Sequence, residues 1–324
     1  MVDTLRTKNG ADLDPAIARF IHETGEAYRQ HSNLTALSNV DARRVAEAVR
    51  APWREGGPTM ASTSERLVAT RHGAVRVRIH DPCANGPKPA LIYLHGGGWT
   101  IFSLDTHDRV MREYAARAGV TVIGVDYALS PEAKFPVALE QTIDVVLWLR
   151  AIGAEIGVDP DRIAIGGDSA GGNLSLCASL ALRELGQSDA IQAIVLSYAV
   201  LDTDSTPEYR ERFGGPAYML TPDEMAVFWA NYLTTPAERD NPLANPAKAR
   251  LEDLPPMFLA IPECDLLTSQ SLAMVTRLGA AGVPTKAVVY PGASHSFLEA
   301  VSIAPVADHA FDDASNWLRE TLSR

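Results

Sequence analysis

A serine, an aspartate and a histidine stand in this chain where each could share in nucleophilic attack on a carbonyl. The serine is Ser169, the centre of Gly167-Asp168-Ser169-Ala170-Gly171, directly after the apolar run Arg162-Ile163-Ala164-Ile165-Gly166. A Gly-x-Ser-x-Gly pentapeptide acquires chemical meaning only between a strand and a helix. There the turn is so tight that its central residue is strained, and small residues two positions away on either side prevent collisions. The hydroxyl is then raised at the strand's carboxyl end, facing the positive N-terminus of the next helix.

Such a hydroxyl needs a base, a group to orient the base, and donors for the oxyanion of a tetrahedral intermediate. His295 fits the base. It lies past an apolar strand in Tyr290-Pro291-Gly292-Ala293-Ser294-His295-Ser296-Phe297. Asp265 follows the strand Met257 to Ile261 and fits the orienting group, with Glu263 as the competing carboxylate and a helix cap as its plainer role. The chain order Ser, Asp, His is one of the three known for such triads. The donors fit His95-Gly96-Gly97-Gly98-Trp99, directly after the strand Ala90 to Leu94. Three glycines let the backbone approach a ligand and aim its N–H groups. Gly97, Gly98 and Ala170 are therefore the expected oxyanion hole. His95 reads as a residue shaping this loop, and His309 as a surface helical residue. His22, His31, His72, His80 and His107 read as solvated or capping.

The elements that must position these groups alternate. Apolar strands are expected at Ala90–Leu94, Val120–Val125, Ile163–Ile165, Ile191–Leu196, Met257–Ile261 and Lys286–Tyr290. Helical segments lie near 105–118, 136–153, 170–186, 268–282 and 304–323. This is the pattern of a parallel sheet covered on both faces. Before it come helical spacings over 14–50, a Pro/Gly-rich linker from Ala51 to Pro58, and β-type alternation from Glu65 to Asp81. Residues 202–250 are too long for a crossover and are rich in large apolar side chains, among them Phe213, Tyr218, Met219, Met225, Phe228 and Trp229. They read as a helical insertion with its own small core, or a cap over the site, or both.

Composition narrows the function classes. With 46% hydrophobic and 21% charged residues over 324 positions, the chain can bury a large core. Its net charge of -11, with no basic stripe, disfavours nucleic acids and polyanionic substrates. No apolar run approaches a membrane span, and the first residues lack a signal-peptide segment. Cys83, Cys177 and Cys264 are widely spaced, which suggests neither a disulfide framework nor a metal site. A cytoplasmic location is the expectation.

Taken together, these residues resemble the hormone-sensitive-lipase-like family (family IV) of serine esterases over nearly the whole chain. The resemblance rests on His95-Gly96-Gly97-Gly98, on Gly167-Asp168-Ser169-Ala170-Gly171-Gly172-Asn173, and on Asp126-Tyr127-x-Leu129-x-Pro131-Glu132-x-x-Phe135-Pro136. Leu104 to Arg109 and Tyr127 to Pro136 are similar in wording to bacterial acetyl esterases. The resemblance implies an α/β-hydrolase fold with a mostly parallel central sheet, helices on both faces and a helical cap. The cap would comprise residues 1–58 and 202–250, the core 59–201 and 251–324. It further implies hydrolysis of short-chain esters, acetyl to roughly hexanoyl, with no metal or organic cofactor. Ser169 would be the nucleophile, His295 the base and Asp265 its partner. Trp99, Phe102, Phe213 and Tyr218 are the expected substrate-binding residues of a closed pocket. One departure stands out: the family usually places Pro-Leu and then acids after its aspartate, whereas Leu266-Leu267-Thr268-Ser269-Gln270 follow here. Thr268 or Ser269 is then free to cap the next helix. An amidase or a lactone hydrolase would use the same triad. A non-catalytic binding protein on this scaffold is disfavoured by the intact Ser, Asp and His. The partner expected is a small-molecule ester, and a homodimer is left open.

Overall fold

Asp14 starts the first helix, α1 (Pro15–Arg29): its carboxylate accepts from the Ala16 and Ile17 N–H groups, and Pro15 fills the first turn. Ser38 caps α2 (Asn39–Arg50) by accepting from Asp41 N–H. In this computed structural model, residues 13–31, 37–84 and 86–323 are described. The stretch read as a linker is packed. Ala51–Arg54 forms a 3₁₀ turn whose Trp53 ring meets Phe20 of α1 edge-on at 4.7 Å.

The alternating stretch that follows folds as a hairpin, β1 (Ser62–Thr70) and β2 (Gly73–Asp81), with Thr70 opposite Gly73. Val75, Val77 and Ile79 are buried while Arg76 and Arg78 remain half-buried, which is the period-two pattern of a sheet with one face in the core. Six further strands follow: β3 (Lys88–Leu94), β4 (Thr121–Val125), β5 (Val158–Asp168), β6 (Ala193–Ser197), β7 (Met257–Pro262) and β8 (Thr285–Tyr290). Between and after them run α3 (Asp108–Ala118), α4 (Val137–Ile152), α5 (Ala170–Glu184), α6 (Pro207–Phe213), α7 (Pro222–Tyr232), α8 (Thr268–Ala280) and α9 (Pro305–Leu322).

All eight strands form one sheet, ordered β1-β2-β4-β3-β5-β6-β7-β8. β1 and β2 pair antiparallel, as do β2 and β4; every later pairing is parallel. Successive residues of one strand feed two cores. Ile92 and Leu94 join Leu174 of α5 and Trp229 of α7 on one face. Leu91 and Tyr93 join Tyr114 of α3, Phe311 of α9 and Phe20 of α1 on the other. That double burial is why these strands are apolar without alternation.

Winding reverses at β3, whose neighbours are β4 on one side and β5 on the other. In open α/β sheets, the crevice outside the strand ends at such a point is where ligands bind. Among the described residues, no helix is long and apolar enough to cross a membrane.

Candidate active site

Ser169 joins β5 to α5 with φ 51 and ψ -118. This conformation is unfavourable for a side-chain-bearing residue by about 1–3 kcal/mol and persists only where its surroundings insist on it. Here its N–H donates to the Ser197 carbonyl at 2.9 Å, and its own carbonyl accepts from Asn173 and Val200 N–H, each at 3.1 Å. A Cβ on Gly167 would lie 2.3 Å from the Leu94 carbonyl oxygen, and one on Gly171 only 1.9 Å from it. The two flanking glycines are thus required by the close approach of β3.

His295 and Asp265 reach Ser169 from the ends of β8 and β7. His295 Nε2 lies 3.0 Å from Ser169 Oγ, and its Nδ1 lies 2.8 Å from Asp265 Oδ2. Asp265 is fully buried, and its other oxygen accepts from Leu267 N–H at 3.0 Å. Glu263 is turned elsewhere, accepting from Gly292 N–H. Neither Thr268 nor Ser269 caps α8. Thr268 instead donates its hydroxyl back to the Pro262 carbonyl, and Ser269 Oγ accepts from Thr206 N–H. This end of the sheet is braced from α1 and the insertion: Asp14 N–H donates to Gly292 O, and the single Ser294 O–H lies between Tyr218 O at 2.8 Å and Cys264 O at 2.9 Å.

The glycine loop after β3 lies beside the elbow because Leu94 pairs with Gly167. Gly97 has φ 103 and Gly98 φ 56. Added Cβ atoms there would meet Ile101 O and the Phe228 ring, each at 2.2 Å. Both glycines line the cavity that contains Ser169 and His295. Ala170 is the first residue of α5, so its N–H is among those without a partner inside the helix. The three expected oxyanion donors and the Ser169 hydroxyl are therefore close together. A hydroxyl, an imidazole and a carboxylate so disposed, beside a glycine loop and a helix N-terminus, can carry out acyl transfer.

Beneath the loop lies a buried network that sequence reasoning missed. Asp168 accepts from Tyr93 OH at 2.7 Å, from Gly96 N–H at 3.1 Å, and from His107 Nε2 at 3.3 Å. With the Thr106 hydroxyl donating to Ser103 O, it is left to accept from His107 Nδ1, 2.9 Å away. Both ring nitrogens of His107 then donate, as in the imidazolium. Burial opposes this charge, but Asp168 outweighs it and raises the His107 pKa. Burial likewise favours a neutral Asp168, and the charge and N–H of His107 outweigh it, lowering that carboxyl. His107 and His80 were expected to be solvated or capping; each is 1% exposed, and His107 stands at the N-cap position of α3 without a side-chain cap bond. His95 does shape the loop, with Nδ1 donating to Gly96 O and its carbonyl accepting from Tyr127 OH. Burial, helped by the neighbouring His107 charge, pushes its pKa down to about 3.

The cavity holds about 110 Å³. Phe102 lines it, together with Met219, Leu220, Met225 and Phe228 from the insertion between β6 and β7. Three expected wall residues do not line it. Trp99 is fully buried and stacks on Tyr232 at 4.3 Å, because its positive φ of 57 turns the ring into the core. Phe213 and Tyr218 pack edge-on against each other at 5.2 Å, and the next residues, Met219 and Leu220, provide the wall. From the other side, Arg43 of α2 ties that helix to the segment after the glycine loop through Thr100 O at 2.7 Å and to Ser130 O at 2.8 Å.

Comparison with known proteins agrees with this geometry. Residues 91–299 match a family described by the alpha/beta hydrolase fold. A hyperthermophilic esterase from the archaeon Pyrobaculum calidifontis is 29% identical, with a TM-score of 0.88 over 95% of this chain and 98% of that one. A thermostable carboxylesterase cloned from a metagenomic library is 31% identical, with a TM-score of 0.86 over 89% and 99%. One of two fungal esterases from Rhizomucor miehei is 29% identical, with a TM-score of 0.90 over 97% and 99%. The chain belongs to the alpha/beta hydrolase fold family, in its hormone-sensitive-lipase-like branch, and is a carboxylic ester hydrolase.

Proposed function

We propose that the enzyme cleaves short-chain esters, acetyl to roughly hexanoyl, through a serine acyl-enzyme. The observation that carries this reading is the unbroken relay from Asp265 through His295 to Ser169 Oγ, at 2.8 and 3.0 Å, facing the glycine loop. His295 removes the Ser169 proton as the hydroxyl attacks the ester carbonyl. The oxyanion rests on the N–H groups of Gly97, Gly98 and Ala170. His295 then hands its proton to the departing alcohol, and water repeats the sequence to release the acid. Asp265 holds the imidazole in the tautomer and orientation this needs.

The cavity volume of about 110 Å³ supports the chain-length limit, being well below the roughly 300–1,000 Å³ of sites that hold drug-sized ligands. Its apolar wall suits an alkyl chain. Ser169→Ala is expected to lower kcat on p-nitrophenyl acetate by at least about 10⁴-fold. Wild-type turnover by the purified variant would refute the mechanism. Asp265→Asn should cost far more than Glu263→Gln, and the reverse ranking would reassign the carboxylate. Across acyl esters, the rate should fall beyond hexanoyl; a steady climb to dodecanoyl would refute the size limit.

A further inference from the structure

Most of the cavity wall is apolar or glycine, but one strong cation stands in it. Arg50, at the end of α2, is 3% exposed and lines the cavity beside Gly97, Phe102 and Met219. Taking a guanidinium out of water is costly unless good partners replace the hydration. The partners of Arg50 are incomplete. Its Nη1 lies 3.4 Å from Glu299 Oε2, an ion pair without hydrogen-bond geometry. Its Nη2 contacts the thioether of Met219 at 3.8 Å, and the Tyr28 hydroxyl, on the same cavity wall, also interacts with the guanidinium. Among the described residues, Nε and Nη1 have no hydrogen-bond acceptor. The fork is nevertheless held in place, lying over Phe20 at 5.3 Å and Phe102 at 5.0 Å. A rigid, desolvated guanidinium therefore lines the space where substrate reacts, its Nη2 set against a thioether while Nε and Nη1 are sealed from it.

The charges nearby decide what this donor takes. Glu299, whose side chain is 2% exposed, already balances the Arg50 charge, and Glu224 adds a carboxylate to the same cavity wall. The whole chain carries -11. A substrate anion would gain little from a cation already neutralised, and would meet two carboxylates. A neutral acceptor needs only an N–H of Nη2, taken in place of the thioether. It would replace a weak contact to sulfur by a hydrogen bond to a charged donor, which is roughly twice as strong as a neutral one. We propose that Arg50 makes this cavity selective for esters that carry a second, neutral hydrogen-bond acceptor, such as a ketone or a second ester carbonyl, away from the scissile bond.

This inference rests on the esterase reading above, and its test separates the two. For the acyl side, kcat/KM is measured for p-nitrophenyl 4-oxopentanoate and p-nitrophenyl pentanoate. For the alcohol side, 2-oxopropyl acetate is compared with butyl acetate. Each rate is divided by the hydroxide-catalysed rate of the same ester. In at least one arm the wild-type enzyme should prefer the oxo ester by about tenfold or more. The preference should collapse toward unity in Arg50→Met/Glu299→Met, whatever happens to the absolute rates. A merely structural role for Arg50 would lower both members of a pair alike and leave their ratio intact. Wild-type ratios near unity in both arms overturn the proposal without any variant. So does a preference that survives the double substitution, or a greater preference for the p-nitrophenyl half-ester of glutaric acid. If the wild-type enzyme turns over none of these esters, it is the esterase reading that fails.

Discussion

Two buried ion pairs flank the serine, and they are built on opposite plans. Under the glycine loop, Asp168 has three donors and His107 has a partner for each ring nitrogen. Under the cap, Arg50 and Glu299 meet at 3.4 Å while both carboxylate oxygens and two guanidinium nitrogens lack hydrogen bonds. A satisfied network rigidifies what it touches, and here it touches Gly96, the first glycine of the loop after β3 that we propose holds the oxyanion. An unsatisfied pair contributes little to folding and keeps capacity for a ligand. The difference teaches which buried charge holds the site in shape and which one is available to substrate.

Removing one carboxylate from the satisfied pair is the harshest test. Asp168→Ala leaves Tyr93 OH, Gly96 N–H and His107 without their acceptor. Unfolding in denaturant should show a loss of about 3–5 kcal/mol. Activity should fall about 10²-fold, since an ångström of slack in the loop misplaces the oxyanion donors. A loss below about 1 kcal/mol would erase the contrast. The next largest effect is expected from Arg50→Met, which strands the Glu299 charge in the interior and should cost about 3 kcal/mol. Adding Glu299→Met should restore stability to within about 1 kcal/mol of wild type, because replacing an imperfect buried pair by apolar groups of similar size is often neutral. If the double variant is no better than the single one, the cap pair is structural after all.

How much of this was legible in the sequence follows from how local each feature is. The strands β3 to β7 could be read because burial on both faces leaves a largely apolar signature, whereas β8, at the sheet edge, is mostly exposed and was readable from its short run of Ala287 to Tyr290. Ser169, Asp265 and His295 could be read because each follows such a strand at its carboxyl end. The cap wall could not be read residue by residue. Met219 has φ 70 and follows a short turn at Pro216–Tyr218, so no regular period fixes which way its neighbours point. Trp99 was misassigned for the same reason: its positive φ reverses the side-chain direction that an extended loop would give. The Asp168–His107 pair joins residues 61 positions apart, and the Arg50–Glu299 pair joins α2 to the 3₁₀ helix Phe297–Ser302 that follows His295. Only one clue to the first was present. A carboxylate at the end of a buried strand must find donors, and His107 was among the few candidates able to carry a charge.

The mildest test uses pH, and it exploits two histidines under one loop whose rings are 5.6 Å apart. His107 has a raised folded pKa, so its contribution is complete below the unfolded value of about 6.5 and is lost as pH rises through the folded value. Asp168 has a lowered folded pKa, so its contribution is present above about 3.9 and is lost as pH falls through the folded value. Their pair is therefore strongest between about pH 4 and 6.5. His95 runs the other way. Its pKa falls from about 6.5 unfolded to about 3 folded, so the unfolded chain binds the extra proton and stability declines as pH drops through that interval. Thermal melts across pH 5 to 9 should show the advantage of wild type over His107→Gln shrinking as pH rises. The gap between wild type and His95→Gln should instead move against wild type as pH falls from about 6.5. Two slopes of the same sign would mean that His107 is neutral, and that Asp168 is held by Tyr93 and Gly96 without an ionic partner.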